Sequence, residues 1–493
     1  MDTSWLWTLF LAVLLSYIYS LWKRTYKKSN LPPGPTPLPI IGNLLHVKRG
    51  ELVKSLMKLW KTYGSVYTLY FGSKPVVILC GHQTVKEALV DQADDFSGRG
   101  KMPTVDRILQ GYGVIMANGE RWKQLRRFTI TTLRNFGMGK RSIEERIQEE
   151  AQSLVEAIRK CEQRPFNPTN LLVQAVSNVI CSVVFGKRFE YEDVEFLKLL
   201  NLLNESFIHF SSTWGQLQDM LPKIMDHIPG PHHKVDAILN MFAQFVKERA
   251  KENNKTLDPT SPRDYIDCFL IKMKQDNQNP ASEFGMKNLV MSTSGLFFAG
   301  TETVSSTLRH GLLILLKYPE IEAKIHEEID RVIGQNRNPT IDDRNKMPYT
   351  DAVIHEIQRF SDVIPMSVPH CVTRDTTFHG YTIPAGTDVL PLLCTVLRDP
   401  TQFATPEKFN PGHFLDSNGC FKKSDAFVPF STGKRICAGE GLAKMELFLF
   451  LTYILQNFKL SSKTQFTDDY IKPQMTGFSN VPKPYELSFI PRI

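Results

Sequence analysis

The chain has few cysteines, and none of them has the spacing of a metal or redox motif. Its 493 residues include 8 cysteines, no two of which form a C-x-x-C pair. This argues against a zinc site and against a thioredoxin-type redox site. Eight cysteines are also too few to hold a chain of this length together as a disulfide scaffold. We therefore expect most of the cysteines to be reduced.

The sequence also lacks a strong charge imbalance, an internal repeat and nucleotide-binding motifs. Lysine and arginine number 59 against 51 aspartate and glutamate, which gives a net charge of +8. The basic residues form no stripe interleaved with stacking aromatic residues, which argues against a nucleic-acid partner. No G-x-G-x-x-G motif follows a predicted strand, so we expect no directly bound dinucleotide. With 42% hydrophobic residues, the chain is typical of a large globular protein.

Only one long stretch is free of charged residues, and it lies at the N-terminus. It covers residues 3–22 and as a helix would span roughly 30 Å, the thickness of a bilayer core. Four basic residues follow within 23–28, which by the positive-inside rule predicts that the rest of the chain is cytoplasmic. We therefore predict an uncleaved membrane anchor at 1–22; a cleaved signal peptide or a buried core helix are the alternatives. A stiff basic and proline-rich hinge at 23–43 then precedes the body at 44–493.

The body is predicted to be mainly α-helical with a minor β part, and no internal linker divides it. Short strands are expected at 66–71, at 76–80 and again between 362 and 398, where proline, glycine and β-branched residues replace helix signals. Apolar residues at helical spacing dominate from about residue 119 to 465.

The longest predicted helix covers about residues 284–318 and has an unusual centre. The middle reads SGLFFAGTETVSST, with Gly295 and Gly300 among hydroxyl-bearing residues. A glycine inside a helix costs roughly 1 kcal/mol relative to alanine, so these small residues need a reason. Either the helix packs closely against another helix, or one face makes room for a ligand at which the hydroxyl groups point.

One cysteine lies in a glycine-containing segment directly before a long apolar helix. Residues 430–439 read FSTGKRICAG, and LAKMELFLFLTYIL follows shortly afterwards. Amide groups at a helix start stabilise a thiolate, and the glycines allow a large ligand to approach the backbone closely. Cys437 is therefore suited to be an axial metal ligand. A nucleophilic cysteine is the competing interpretation, although no nearby histidine is placed to act as its base.

The segment F-x-x-G-x-R-x-C-x-G resembles the haem-binding signature of the cytochrome P-450 family. Further matches extend over nearly the whole body: the oxygen-activation motif at 299–303, an E-x-x-R pattern at 356–359, the aromatic-proline meander at 409–414 and a W-x-x-x-R helix at 122–126. The anchor and proline-rich hinge are similar to those of the microsomal members, closest to the vertebrate second family that oxidises drugs, steroids and fatty acids. The resemblance implies the P-450 fold, a single haem-enclosing catalytic domain at 44–493.

The E-x-x-R match is weak as a pattern, since it also occurs at 156–159 and 328–331. Its position before the short strands and the meander favours Glu356 and Arg359. In the family this pair forms a buried network with an arginine of the meander, and this chain has His413 in that place. We expect a structural role for the three residues, with a charge state that depends on pH in principle.

The resemblance implies haem b as the cofactor, with the Cys437 thiolate as the ligand of its iron. The other implied contacts bind the haem carboxylates or line the haem site, namely Trp122, Arg126, His370, Arg435, Phe430, Gly433, Gly439 and Ala299. A guanidinium fork suits a carboxylate. His370 has an alternative role as an ordinary histidine beside a strand.

The implied reaction inserts one oxygen atom from O2 into a small lipophilic xenobiotic, steroid or fatty acid. Thr303 is expected to relay a proton and Glu302 to supply it, although the Thr303 hydroxyl could instead only bond an upstream carbonyl of its own helix. The residues expected to contact substrate are mostly apolar, namely Met102, Ile115, Met116, Phe207, Gly295, Phe298, Ala299, Ile364, Val368 and Phe478.

The electrons must come from a partner, which by resemblance is NADPH–cytochrome P-450 reductase, with cytochrome b5 optional. Basic residues crowd one stretch and are expected to dock this partner or to form a solvated helix face: Arg121, Lys123, Arg127, Arg134, Lys140 and Arg141. Residues 220–234 are expected to contact membrane lipid or to form an ordinary surface loop. The implied location is the endoplasmic reticulum membrane, with a single span and a cytoplasmic catalytic domain.

Two other functions are compatible with the sequence. A haem-thiolate isomerase or dehydratase would act on peroxides without a reductase, but such members tend to lack the acid–threonine pair found at 302–303. A haem-binding sensor without catalytic activity would need neither the apolar substrate residues nor the basic stretch.

Overall fold

The computed structural model describes residues 30–136, 141–473 and 477–492, together with residues 5, 7–10, 12, 13, 16, 17 and 20. The predicted anchor at 1–22 and the basic part of the hinge therefore lie largely outside the described residues. Within the described part of the chain, no helix is long and apolar enough to cross a bilayer.

Helices make up most of the body. They are α1 (Leu52–Tyr63), α2 (His82–Lys86), α3 (Pro103–Leu109), α4 (Gly119–Asn135), α5 (Arg141–Arg159), α6 (Thr169–Val184), α7 (Val194–Ser211), α8 (Thr213–Met220), α9 (Pro222–Met225), α10 (Lys234–Lys255), α11 (Tyr265–Gln275), α12 (Met286–Lys317), α13 (Pro319–Val332), α14 (Pro348–Ser361), α15 (Leu393–Leu397), α16 (Glu440–Asn457) and α17 (Asp468–Ile471). Helices α1 to α3 lie ahead of residue 119, where only strands were expected.

Small strands accompany the helices. They are β1 (Val66–Phe71), β2 (Lys74–Leu79), β3 (Gly98–Arg99), β4 (His370–Cys371), β5 (Thr376–Phe378), β6 (Tyr381–Ile383), β7 (Asp388–Pro391), β8 (Phe458–Ser461) and β9 (Ser488–Pro491). One sheet has the order β1-β2-β7-β4-β3, in which β2 and β7 are parallel and β3 pairs Arg99 with His370. Two further sheets pair β5 with β6 and β8 with β9. The predicted class, mainly α with a minor β part, is confirmed.

Helix α12 is the central element of the body. It covers 32 residues and ends at Lys317, because Tyr318 precedes Pro319 and the proline ring disfavours helical geometry at that position. Its C-terminal part, residues 304–315, is buried throughout and the helix packs against α6, α10, α14 and α16. The helix predicted at 284–318 is therefore present with nearly those bounds.

The two glycines of α12 allow close contact with neighbouring side chains. A Cβ atom at Gly295 would lie 2.9 Å from Cδ1 of Ile115, and one at Gly300 would lie 2.5 Å from Cδ1 of Ile180. Real Cβ atoms do not approach other carbon atoms so closely, so close packing explains both glycines. Gly300 in addition borders the cavity that contains Cys437.

Glu356, Arg359 and His413 form one buried network, as expected. Arg359 donates to both carboxylate oxygens of Glu356 at 2.7 Å and to three main-chain carbonyl groups, those of Leu397, Pro406 and Lys408. His413 Nδ1 lies 3.2 Å from the same carboxylate, and its Nε2 lies 3.2 Å from the amide nitrogen of Thr405. That amide can only donate, so the geometry fits a neutral ring with the proton on Nδ1.

Removing the carboxylate of Glu356 is expected to leave the Arg359 charge buried without a counter-charge. Loss of one partner of a buried ion pair costs about 3–5 kcal/mol. Glu356→Ala should therefore lower the midpoint of urea unfolding strongly or prevent recovery of folded protein.

A matched control is Glu156→Ala, which removes the exposed acid of another E-x-x-R pattern. It should change the free energy of unfolding by no more than about 0.5 kcal/mol. Equal losses of stability in the two variants would contradict the buried role of Glu356.

Candidate haem site and substrate cavity

The loop that carries Cys437 is fixed by a hydrogen bond and by one glycine. Cys437 lies between the 3-10 turn Gly433–Arg435 and helix α16, and its amide donates to the carbonyl of Phe430 at 2.9 Å. Gly433 has a φ of +72°, and a side chain there would overlap the carbonyl oxygen of Leu89. Only glycine fits this position, so the loop holds Cys437 directly ahead of α16.

The Cys437 thiol opens onto an internal cavity and receives main-chain donors from the helix start. Burial raises its pKa, whereas the amides of Gly439 and Glu440 and the charge of Arg126 act in the opposite direction. This is the arrangement that stabilises a thiolate once a cation lies opposite the sulfur.

The cavity in front of the thiol is mostly apolar. Its volume is about 300 Å³, at the lower end of the range of ordinary small-molecule pockets. Helix α12 forms one wall with Ala299, Gly300, Thr303 and Thr307, and the start of α16 with the cysteine loop forms another. A ligand in this cavity would therefore lie between α12 and the sulfur of Cys437.

Three arginines line one side of the cavity, and we call Arg99, Arg126 and Arg435 the arginine rim. They donate to uncharged acceptors, with Arg99 bonding Ile115 and Val368, Arg126 bonding Ile436, and Arg435 bonding Ser97, Ala117 and Asn118. Burial and mutual repulsion lower the pKa of Arg435 to about 8 and that of Arg99 to about 10. Within the described residues the rim has no carboxylate to balance it.

Three buried polar atoms beside the rim also have no partner among the described residues. They are Trp122 Nε1, His370 Nε2 and Arg435 Nη1, and the Arg435 guanidinium stacks on the Trp122 ring at 3.8 Å. Leaving a buried donor unpaired costs about 1–3 kcal/mol. Burial lowers the pKa of His370 to about 3, and a carboxylate beside Nε2 would raise it again. The residues present therefore fit haem, whose two carboxylates would satisfy the rim while Cys437 faces its iron.

The centre of α12 presents a hydroxyl to the cavity and a carboxyl group to the protein interior. Thr303 lines the cavity and donates to the carbonyl of Ala299 at 2.7 Å. Glu302 lies outside the cavity lining, accepts a hydrogen bond from Ser306 at 2.7 Å and is 3.7 Å from Arg309. Burial raises the pKa of Glu302, so this carboxyl group retains a proton more readily than an exposed one.

Comparison with known proteins identifies the family to which the chain belongs. The cytochrome P450 family model matches residues 32–489. The chain belongs to the cytochrome P450 family. It is 59% identical to cytochrome P450 2G1 of Rattus norvegicus over 98% of this chain and 99% of that protein. It is also 54% identical to cytochrome P450 2A13 of Homo sapiens over 98% of both chains. The predicted resemblance to the vertebrate second family is confirmed.

As a cytochrome P450, the chain is a haem-thiolate oxidoreductase of the monooxygenase type. Most of the residues expected to hold haem line the cavity, namely Trp122, Arg126, Ala299, Phe430, Arg435, Cys437 and Gly439. His370 lies beside the rim through its pairing with Arg99, and Gly433 secures the cysteine loop from behind. Sequence reasoning missed Arg99, which reaches the rim only through a two-residue strand, and Thr307, which lies one turn beyond Thr303.

The residues expected to contact substrate fall into two groups. Ile115, Ala299, Ile364 and Val368 line the cavity itself. The others lie outside the cavity lining: Met102, Met116 and Phe478 belong to an apolar cluster that includes Ile115 and Val368, Phe207 and Phe298 are ring neighbours at 6.4 Å, and Gly295 faces Ile115. The two groups are continuous, because Ile115 and Val368 belong to both.

Replacing the thiol is expected to abolish the spectral signature of a thiolate-bound iron. Cys437→Ala should lose the strongly red-shifted Soret band of the reduced, carbon-monoxide-bound protein, because no other described sulfur lines the cavity. Cys420→Ala removes an exposed cysteine and should leave the band unchanged. A red-shifted band in Cys437→Ala would contradict the assignment of the ligand.

Proposed function

We propose that this cytochrome P450 is an endoplasmic reticulum monooxygenase that inserts one oxygen atom from O2 into small neutral lipophiles. Its electrons come from NADPH through cytochrome P450 reductase, with cytochrome b5 as an optional second donor. The observation that carries the proposal is a cysteine at a helix start and an arginine rim that open onto one apolar cavity lined by α12. Bound haem supplies the activation and transfer of oxygen, and the protein supplies orientation, charge and protons.

The polarity of the cavity wall supports a neutral lipophilic substrate. Away from the arginine rim and the cysteine, the lining is apolar apart from uncharged polar groups such as Thr307, Gln358 and Ser367 and one carboxyl group, that of Glu446. Burial raises the pKa of Glu446 well above its ordinary value, which favours the neutral form of this carboxyl group. An anionic or cationic substrate would find no counter-charge beyond the rim that binds the haem carboxylates.

Thr303 and Glu302 support the proton transfer that oxygen activation needs. The Thr303 hydroxyl donates to Ala299, which leaves its lone pairs free to accept a hydrogen bond from a group in the cavity. Glu302 is the preceding residue in the chain and lies behind this wall, where burial raises its pKa and Ser306 donates to it. We assign the relay to Thr303 and the supply of the proton to Glu302.

Helix α4 supports docking of an acidic redox partner. Lys123, Arg127 and Arg134 are exposed, and their spacing of four and seven residues places them on one face. The same helix carries Trp122 and Arg126 to the cavity, so a partner on this face would lie close to the haem. Arg121 is already paired with Glu283, Arg141 is exposed beside Glu145, and Lys140 lies outside the described residues.

The segment 220–234 supports a second contact with the membrane besides the anchor. Ile224 and Ile228 are more than a third exposed, and the neighbouring Leu221 packs beside Gly72 and the main chain of Ile40, itself 66% exposed. Exposed aliphatic side chains near the N-terminal end of the body are suited to the boundary of a bilayer.

Removing the Thr303 hydroxyl is expected to uncouple electron use from product formation. In Thr303→Ala, product formation should fall on the order of 100-fold while NADPH oxidation continues and releases peroxide, because proton delivery is lost. Thr303→Ser keeps the hydroxyl and should restore most of the product yield per NADPH. Tight coupling in Thr303→Ala would contradict the relay.

Reversing the charge of the α4 face is expected to slow reduction by the partner. The triple variant Lys123→Glu, Arg127→Glu, Arg134→Glu should lower the rate of reductase-supported reduction at low salt and should weaken its salt dependence. Reduction by dithionite should be unchanged. Charge reversal at the exposed Lys247 and Lys251 of α10 is the control and should leave both rates unchanged; equal slowing there would contradict docking on α4.

A further inference from the structure

A buried histidine of α12 faces away from bulk solvent and contacts the C-terminal segment. His310 is 1% exposed, and its Nε2 lies 3.2 Å from the carbonyl oxygen of Asn480. Burial lowers the pKa of His310 to about 4, and the charge of Arg309 acts in the same direction. The ring is therefore neutral at physiological pH and donates its Nε2 proton to Asn480.

Asn480 joins this histidine to a wall of the cavity. Its amide nitrogen donates to the carbonyl of Val363 at 2.9 Å, and its side-chain nitrogen donates to the carbonyl of Asp362 at 2.7 Å. Val363 and Ile364 line the cavity. One fully buried residue, through its main chain and its side-chain amide, thus joins three elements: α12, the C-terminal segment and the chain that follows α14.

The same segment carries an aromatic side chain in an apolar cluster that also contains two residues of the cavity lining, Ile115 and Val368. Phe478 stands two residues before Asn480 and packs into the apolar cluster with Met102 and Met116, where its ring lies 6.4 Å from that of Phe210. A second hydrogen bond ties the segment to the same turn of α12, since the Tyr485 hydroxyl donates to the carbonyl of Arg309 at 2.7 Å. The placement of Phe478 therefore depends on contacts made behind the cavity.

We propose that His310 and Asn480 are positioning residues that fix Phe478 and the wall at 363–364, and thereby set which lipophiles the cavity binds. The inference rests on the proposed function only in taking this cavity as the substrate site. Neither side chain lines the cavity, so both act through the residues that do. His310 Nδ1 and Asn480 Oδ1 have no partner among the described residues.

The test is ligand binding to the haem-loaded protein, with imidazole and 4-phenylimidazole as probes. Both bind iron through the same nitrogen, but only the phenyl ring reaches the cavity walls. In His310→Phe and in Asn480→Ser, the affinity for 4-phenylimidazole should fall about ten-fold relative to that for imidazole. An unchanged ratio of the two affinities in both variants would overturn the inference.

Two controls separate positioning from general loss of stability. His310→Gln keeps a donor near the Nε2 position and should restore the wild-type affinity ratio. His355→Phe removes another buried histidine, which bonds Asp351 and lies among phenylalanine rings outside the cavity lining, and should leave the ratio unchanged. A shifted ratio in His355→Phe, or no recovery in His310→Gln, would count against positioning.

A double-mutant cycle with Phe478→Ala tests the route of action. If His310 acts through Phe478, the substitution His310→Phe should change the affinity ratio much less in the Phe478→Ala background than in the wild type. Fully additive effects would overturn the inference. The ratio is measured without turnover, so a protein that binds both probes as expected but fails to oxidise any lipophile would contradict only the proposed function.

Discussion

Three arginine side chains around one apolar cavity, with no balancing carboxylate in the described protein, are the constraint on which the rest of the structure depends. Arg435 is buried, and Arg99 and Arg126 are partly buried. Arg99, Arg126 and Arg435 come from β3, α4 and the cysteine loop, so their repulsion acts to drive these elements apart. A bound dicarboxylate would turn that repulsion into attraction. Because a ligand that binds only the folded state stabilises it, haem binding and the folding of this region should be strongly coupled.

Two faces of helix α12 carry different polar groups. Thr303 and Thr307 are one turn apart and both line the cavity. Glu302, Ser306 and Arg309 recur at helical spacing on a different face and contact one another inside the protein. The Thr303 hydroxyl at the cavity and the Glu302 carboxyl group in the protein interior are thus both fixed by one rigid element. This rigidity keeps their relative positions independent of the loops that close the cavity.

Local patterns made much of this site predictable. The cysteine loop is contiguous, the Trp122–Arg126 pair lies at i and i+4 on one helix, and the small residues of α12 stand out by composition. Arg99 was not predictable, because a two-residue strand has no periodicity and reaches His370 only in the folded sheet. The burial of Glu302 behind the wall likewise depends on how α12 is rotated, which neighbouring elements decide. Helix α1 has apolar residues at helical spacing, such as Leu52, Leu56 and Leu59, so its pattern was present in the sequence.

The E-x-x-R pattern shows why burial, and not spacing, defines a network. At 156–159 both residues are exposed, and at 328–331 the glutamate accepts from the amides of Tyr349 and Thr350 at the start of α14. Only at 356–359 is the arginine fully enclosed. His310 and Asn480 are a second example. They are 170 positions apart in the chain and contact each other only once α12 is buried. Selectivity in such a protein can therefore change through residues behind the cavity wall while its lining stays the same.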